Sequence, residues 1–252
     1  MPGTLPEPFA AWFARRGWAP RPHQMQVLAA AQEGRSVLLI APTGGGKTLA
    51  GFLPTLTELH TAPRRGLHTL YISPLKALAA DVQRNLIRPI CELSLDITIA
   101  TRSGDTSAGE RRKQRDNPPN ILLTTPESLA VLLSQPEASA FFAAIRRIVI
   151  DEIHALVGSK RGQQLALCLA RLHSIAPEAT RRGLSATVAN PDAIAAYVGP
   201  DAARVTTQGG APPQISMMLP AGRLPWSGHM GLASAPDILA RIRAAGTTIV
   251  FV

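Results

Sequence analysis

A doubly wound α/β fold, with a parallel sheet covered by helices on both faces, is what these 252 residues predict. Three observations carry the prediction. Between Ser36 and Thr187 short β-branched runs alternate with longer helical patterns. The runs are apolar at successive positions, as strands buried on both faces must be. A glycine-rich segment, APTGGGKT (41–48), joins the first run directly to a helical pattern, at the kind of βα junction where open α/β sheets place their sites.

Taken in order, PFAAWFARRG and PHQMQVLAAAQEG read as two helices closed by Gly17 and Gly34, since glycine accepts the left-handed conformation that ends a helix. The strand candidates are SVLLI (36–40), TLYIS (69–73), DITIAT (96–101), NILLTT (120–125), RIVIDE (147–152) and RGLSAT (182–187). KALAADVQRNLIRPI and GQQLALCLARLHSI are helical patterns between them. After Asn190 a short helix (191–198) leads into a Gly/Pro-rich stretch without periodicity, which reads as a linker or an irregular crossover. APDILARIRAAG then reads as a helix and TTIVFV (247–252) as a strand. The expected divisions are 1–34, N-terminal helices; 35–200, the sheet domain; 201–235, a linker; and 236–252, the start of a second domain.

Apolar residues make up 46% of the chain, enough for a sizeable core. Lys and Arg number 26 against 17 Asp and Glu, a formal charge of +9. That surplus suits a polyanionic partner, although general Arg-richness accounts for it equally well. Only four lysines occur, Lys47, Lys76, Lys113 and Lys160. Cys91 and Cys168 sit in apolar helical contexts without metal-ligand spacing, so two small buried thiols in a reduced, cytoplasmic setting are expected. No secretory signal and no apolar run of ~18 residues is present, so no membrane partner is expected.

The chemistry concentrates in two segments. In APTGGGKT, Thr43 opens the turn, and Gly44, Gly45 and Gly46 let backbone N–H groups approach phosphate oxygens with no Cβ in the way. The following helix N-terminus adds partial positive charge. Lys47 is placed to reach the β- and γ-phosphates of a nucleoside triphosphate, and Thr48 to ligate Mg²⁺. Ala41 stands where the general pattern has its first glycine. RIVIDEIH (147–154) ends a strand in two carboxylates: Asp151 to hold Mg²⁺ through water, Glu152 to take a proton from an attacking water. His154 is either a surface histidine or a link from nucleotide to nucleic acid.

With APTGGGKT, DEIH and SAT (185–187) in this order, the chain resembles superfamily 2 helicases of the DEXH type. GWAPRPHQ (17–24), AGFLP (50–54), ISPLKALAADVQRNL (72–86), RSGDT (102–106), RRKQRDNPPNILLTTPESL (111–129) and DEIHALVGSKRG (151–162) narrow it. They look like the large helicase-related (Lhr) family, and FAAWFARRGWAPRPHQ looks most like its bacterial, DNA-ligase-associated branch. The resemblance implies a RecA-like P-loop NTPase fold and ATP with Mg²⁺ as cofactors. It also implies single-stranded or partly duplex DNA as substrate, and DNA-repair proteins including a ligase as partners. By the same resemblance Gln24 recognises adenine, to which a carboxamide can donate and accept at once, with Trp18 either supporting it or merely packing. Ser185 and Thr187 would couple hydrolysis to strand movement, their hydroxyls bonding the DEIH segment. TTIVFV resembles the opening of a second motor domain that carries an arginine of the ATP site. On that reading these residues are the N-terminal motor domain only, and turn ATP over poorly alone.

Several loops leaving the sheet could meet a phosphate backbone. SPLKAL begins a helix at Pro74 and carries Lys76. TTPESL offers Thr125 as N-cap and Pro126 at the first helical position. TRSGD adds Arg102, and SKRG adds Lys160 and Arg161. Ordinary capping explains each singly; their recurrence at successive strand exits favours backbone binding, with little base specificity and strong salt dependence. RRKQR (111–115) reads as a solvated helix face. The rivals are an RNA helicase, which DEIH counts against, and a nucleic-acid-binding module that uses ATP only as a switch.

Overall fold

In the computed structural model, residues 5–186, 188, 190–207, 214–218 and 234–251 are described. The chain divides into two units, Met1–Gly210 and Ala211–Val252.

The first unit is built on a seven-stranded sheet: β1 (Val37–Ile40), β2 (Thr69–Ile72), β3 (Ile99–Arg102), β4 (Ile121–Thr124), β5 (Arg147–Ile150), β6 (Thr180–Ser185) and β7 (Ala203–Thr206). Their order is β3-β4-β2-β5-β6-β1-β7, and every pairing is parallel. Parallel strands need crossovers that cover the faces, and the helices supply them. α1 (Glu7–Arg15), α2 (Pro22–Gln32), α3 (Lys47–Thr61) and α4 (Lys76–Glu92) cover one face, packing Phe9, Leu28, Phe52, Leu56 and Leu86 against Leu39, Tyr71, Leu123 and Val149. α6 (Pro126–Leu133), α7 (Ala138–Phe142), α8 (Lys160–Ile175) and α9 (Pro191–Val198) cover the other, with Leu129, Phe142, Leu165, Leu169 and Val198 on Leu38, Leu70, Leu122 and Ile148. α5 (Ala108–Asp116) buries no residue, the solvated face expected of RRKQR. Glu92 of α4 fastens α1 by accepting from Trp12 Nε1 (2.7 Å) and Arg16 Nη2 (2.5 Å); those two donors, Arg16 first, and then Arg88 hold its carboxyl down at about 2.

Close approach fixes two glycines. A Cβ on Gly51 would lie 2.9 Å from Leu184 Cδ1, so α3 lies directly on the sheet. A Cβ on Gly162 would lie 1.9 Å from the Leu156 carbonyl oxygen, so only glycine lets α8 start against the loop after β5. Gly17 and Gly34 have φ of 63° and 70°, the expected helix ends.

The structure corrects the sequence reading in several places. Residues 203–206, expected in a linker, form β7 and pair with β1 along its whole length. β3 starts at Ile99, not Asp96, because the Thr98 N–H donates to the Asn120 side-chain oxygen (2.9 Å) in place of a ladder carbonyl. α4 starts at Lys76, not Pro74: Ser73 Oγ bonds both the carbonyl and the N–H of Leu75, which keeps Leu75 extended. Cys91 is exposed, and only Cys168 is buried. In the second unit α10 (Ala235–Ala244) matches its helical pattern. The strand expected at 247–252 is not formed among the described residues, since a strand exists only through a ladder partner. Thr187 lies outside the described residues. No helix is long and apolar enough to cross a membrane among the described residues.

Candidate nucleotide and nucleic-acid site

The sheet order places β5, β6 and β1 side by side, so their carboxyl ends span roughly 10 Å at ~4.8 Å per strand. The phosphate-binding loop leaves β1, Ser185 ends β6, and Asp151 follows β5. Segments as far apart in sequence as Ala41 and Ser185 thus form one row.

The loop is a tight turn into α3. Gly44 and Gly46 have φ of 74° and 77°, and a Cβ on Gly45 would lie 2.7 Å from the Pro42 carbonyl. Gly46 is the helix N-cap and supplies no side-chain cap, leaving the first N–H groups of α3 to a ligand. Lys47 folds over this concavity, its Nζ donating to the carbonyls of Ala41 (2.9 Å) and Pro42 (3.2 Å). Glycine where a Cβ would close the turn, and an ammonium held only by neutral carbonyls, are the donor set a polyphosphate needs.

Asp151 is buried, with two partners: Oδ2 accepts from the Tyr71 hydroxyl (2.6 Å) and Oδ1 from Glu152 N (2.9 Å). Burial, and then the charge of Asp151, push the Tyr71 phenol far above its ordinary range, so it remains a donor. Glu152 adopts φ 45°, ψ 42°, the left-handed region that a non-glycine residue enters only at a cost. From there a 3₁₀ turn, Ile153–Ala155, brings His154 Nδ1 within 2.9 Å of Ser185 Oγ and 3.4 Å of Glu152 Oε2. The hydroxyl bond expected between the SAT and DEIH segments is therefore present for Ser185.

Gln24 is buried against the loop. Its oxygen accepts from Arg21 N (2.9 Å) and its nitrogen donates to the Gly46 carbonyl (3.4 Å), leaving one lone pair and one N–H on the carboxamide. Beside it a cavity of about 340 Å³ is lined by Arg21, His23, Gln26, Pro42, Gly45, Thr206 and Thr207. Trp18 packs edge-on against Trp12 with the Arg16 guanidinium over its ring. A larger cavity of about 510 Å³ opens at the amino ends of β5 and β6, around Glu58, Arg147 and Thr180; this is the end of the strands away from the loop.

The nucleic-acid candidates surround the carboxyl ends of β2, β4 and β3. Thr125 caps α6 through Ser128 N (3.4 Å), with Pro126 at its first position. Lys76 pairs with Asp105 (2.7 Å), and Arg161 donates to Glu127 (2.5 Å) and to the Pro74 carbonyl (2.8 Å). Arg161 thus ties SPLKAL to TTPESL. Lys160 opens α8 behind the Ser159 cap and is exposed. Arg102 is half-buried and donates to Gln114 (3.2 Å). The Lys76–Asp105 and Arg161–Glu127 pairs are exposed, and such pairs are worth about 0–1 kcal/mol, so a phosphate can displace the carboxylate.

Sequence reasoning missed Tyr71 and Arg21, whose Nη1 donates to the Gly44 carbonyl (3.2 Å). Tyr71 reads as a core strand residue, and nothing in the sequence places it against a carboxylate 80 positions away. Arg21 stands three residues before Gln24, which was the available signal.

Residues 21–194 match the DEAD/DEAH box helicase family. The chain belongs to this family. The helicase domain is 42% identical over 201 residues to the Lhr helicase/probable uracil glycosylase of Mycolicibacterium smegmatis, covering 74% of this chain and 13% of that protein. It is 40% identical over 199 residues to the ATP-dependent helicase Lhr-Core of Methanocaldococcus jannaschii, covering 73% and 23%. Among solved structures, the M. smegmatis helicase Lhr bound to ssDNA and AMP-PNP superposes with a TM-score of 0.77 at 36% identity, over 94% of this chain and 32% of that one. This helicase domain therefore spans about a quarter or less of the length of these curated relatives.

Proposed function

We propose that the chain is the ATP-binding motor domain of an Lhr-type DNA helicase or translocase, in which ATP binding and hydrolysis drive movement along single-stranded DNA. The observation that carries it is the row of three strand ends: the lysine-bearing loop on β1, the carboxylates after β5, and Ser185 between them bonded to His154. Gly44–Thr48 would cradle the triphosphate, Lys47 exchanging two neutral carbonyls for phosphate oxygens, and Gln24 would read adenine. Thr48 and Asp151 would hold Mg²⁺, which when bound neutralises charge developing on the phosphoryl oxygens. Glu152 would take the proton of the attacking water. The Glu152–His154–Ser185 chain gives a change at the γ-phosphate a path to β6.

Single-stranded DNA as the track is supported by the loops around Pro74, Lys76, Arg102, Thr125, Pro126, Lys160 and Arg161, and by the DNA-bound state of the M. smegmatis relative. A cytoplasmic role in DNA repair, with a ligase among the partners, and the divisions at residues 34 and 235 extend the same proposal.

Linkage tests it. If one domain couples both sites, a non-hydrolysable ATP analogue must change the affinity for DNA, and DNA must change the analogue's affinity by the same factor. Equal oligonucleotide affinity with and without analogue, by fluorescence anisotropy, defeats the coupled reading. A matched RNA strand that binds and couples better than DNA turns it to RNA.

A further inference from the structure

Beside β3, the edge strand of the sheet, a cavity of about 290 Å³ opens between α5 and the α6–α7 pair. Its floor is apolar: Leu122, Leu132, Ala138 and Phe141. Its wall carries four arginines, Arg102, Arg111, Arg112 and Arg115, against one carboxylate, Glu137. Three of the arginines have other engagements. Arg102 donates to Gln114, Arg111 to the carbonyls of Thr106 (2.7 Å) and Gly104 (2.8 Å), and Arg115 to its neighbour Asp116 (3.3 Å). Arg112 has no ion pair or hydrogen bond with the described residues. Burial first, and then the neighbouring Arg111 and Arg115, bring the Arg102 guanidinium below its usual pKa.

The position matters as much as the charge. The strand order β2–β4–β3 sets Lys76, Thr125 and Arg102 at successive carboxyl ends. A polynucleotide crossing those ends in that direction reaches Arg102 last, and Arg102 is shared with the cavity wall. Arginines over an apolar floor with an aromatic edge match a nucleotide: guanidinium for the phosphate, the partly exposed Phe141 for the base.

We propose that this cavity seats one nucleotide of the DNA strand just after it leaves the strand-exit loops, extending the track around the β3 edge. The site rests on the reading of those loops as a DNA track, and the experiment separates the two. Oligo-dT of increasing length is titrated into the 252-residue chain by fluorescence anisotropy. Affinity should step up once the strand is long enough to pass Arg102. Charge reversal of the two exposed α5 arginines, R112E/R115E, should remove that step, at least tenfold on long strands and under twofold on the shortest. R84E, an exposed reversal on α4 away from the cavity, should leave the step in place. A photo-cross-linking residue at exposed Gln135 should capture long strands and not short ones.

An equal loss at every length, or the same loss from R84E, would make the effect general electrostatics and overturn the site. Capture at Gln135 of an acidic peptide such as poly-Glu in preference to oligonucleotide would overturn it in favour of a protein partner. Length-independent binding removes this site alone, whereas no DNA binding at any length removes the track and the site together.

Discussion

At residue scale the site's polar groups are held by the chain's own backbone, and two substitutions separate their roles. Lys47 spans two loop carbonyls. Its loss should weaken Mg-ATP binding at least tenfold, about 1.4 kcal/mol, in K47A measured by calorimetry. E152Q should keep near-normal affinity and lose turnover, because the role proposed for Glu152 is toward water and not toward the nucleotide. Equal binding by K47A and the parent chain would refute the phosphate role. Gln24 contacts the loop with half of its carboxamide, so Q24A should reduce the preference for ATP over other triphosphates by roughly 1–3 kcal/mol, the scale of one bidentate base contact. A parent chain that binds all four triphosphates equally would end that assignment.

At the scale of elements, packing sets the tests. Gly162 starts α8 against the Leu156 carbonyl, with no space for a Cβ. G162A must therefore push α8 or the DEIH turn away, and a loss of more than about 2 kcal/mol is expected, at the high end for a point change. Chemical denaturation measures it, and an unchanged midpoint contradicts the geometry. Arg182 of β6 is fully buried, and none of its three guanidinium nitrogens has a partner. Burial, and then Arg147 nearby, bring it down to about 9. A buried charge without a hydrogen-bonded counter-ion is destabilising. R182L should increase stability, by on the order of 1–4 kcal/mol, and so raise the melting temperature; a lower melting temperature would show a partner at this position. The central strands were legible because burial on both faces writes an unbroken apolar run such as Ile121–Leu123. β7, ARVT, was not, because an edge strand keeps only Val205 inside. The phosphate loop and DEIH were legible because their chemistry is local in sequence. The partners of Arg161 and Tyr71 were not, because only the strand order brings them within reach.

Across the whole molecule, acid should destabilise before it denatures. Buried His68 and His23 are held below the ordinary imidazole value by burial. A base with a depressed folded pKa binds its proton more readily when unfolded, so this stability is complete above about 6.5 and is lost as the pH falls below it. Glu58 lies lower still, at about 2, under the influence of His68 and then Arg147; its contribution holds above about 4.5 and disappears toward 2. The melting temperature should thus fall between pH 7 and 5, and H68Q should flatten that limb. A curve level down to pH 5 would exclude neutral buried histidines. The +9 charge adds an independent expectation, a steep loss of DNA affinity with salt.

Glu152 sits in the left-handed backbone region, and the role proposed for it in taking the water proton requires a carboxylate at that position. Glycine or asparagine would relax that conformation. Laboratory selection of this domain for heat tolerance alone should therefore accumulate replacements at 152, and each would come out sturdier and catalytically silent. Resistance to heat and capacity for work are set against each other at one peptide unit, so only a selection that also demands turnover will keep the glutamate.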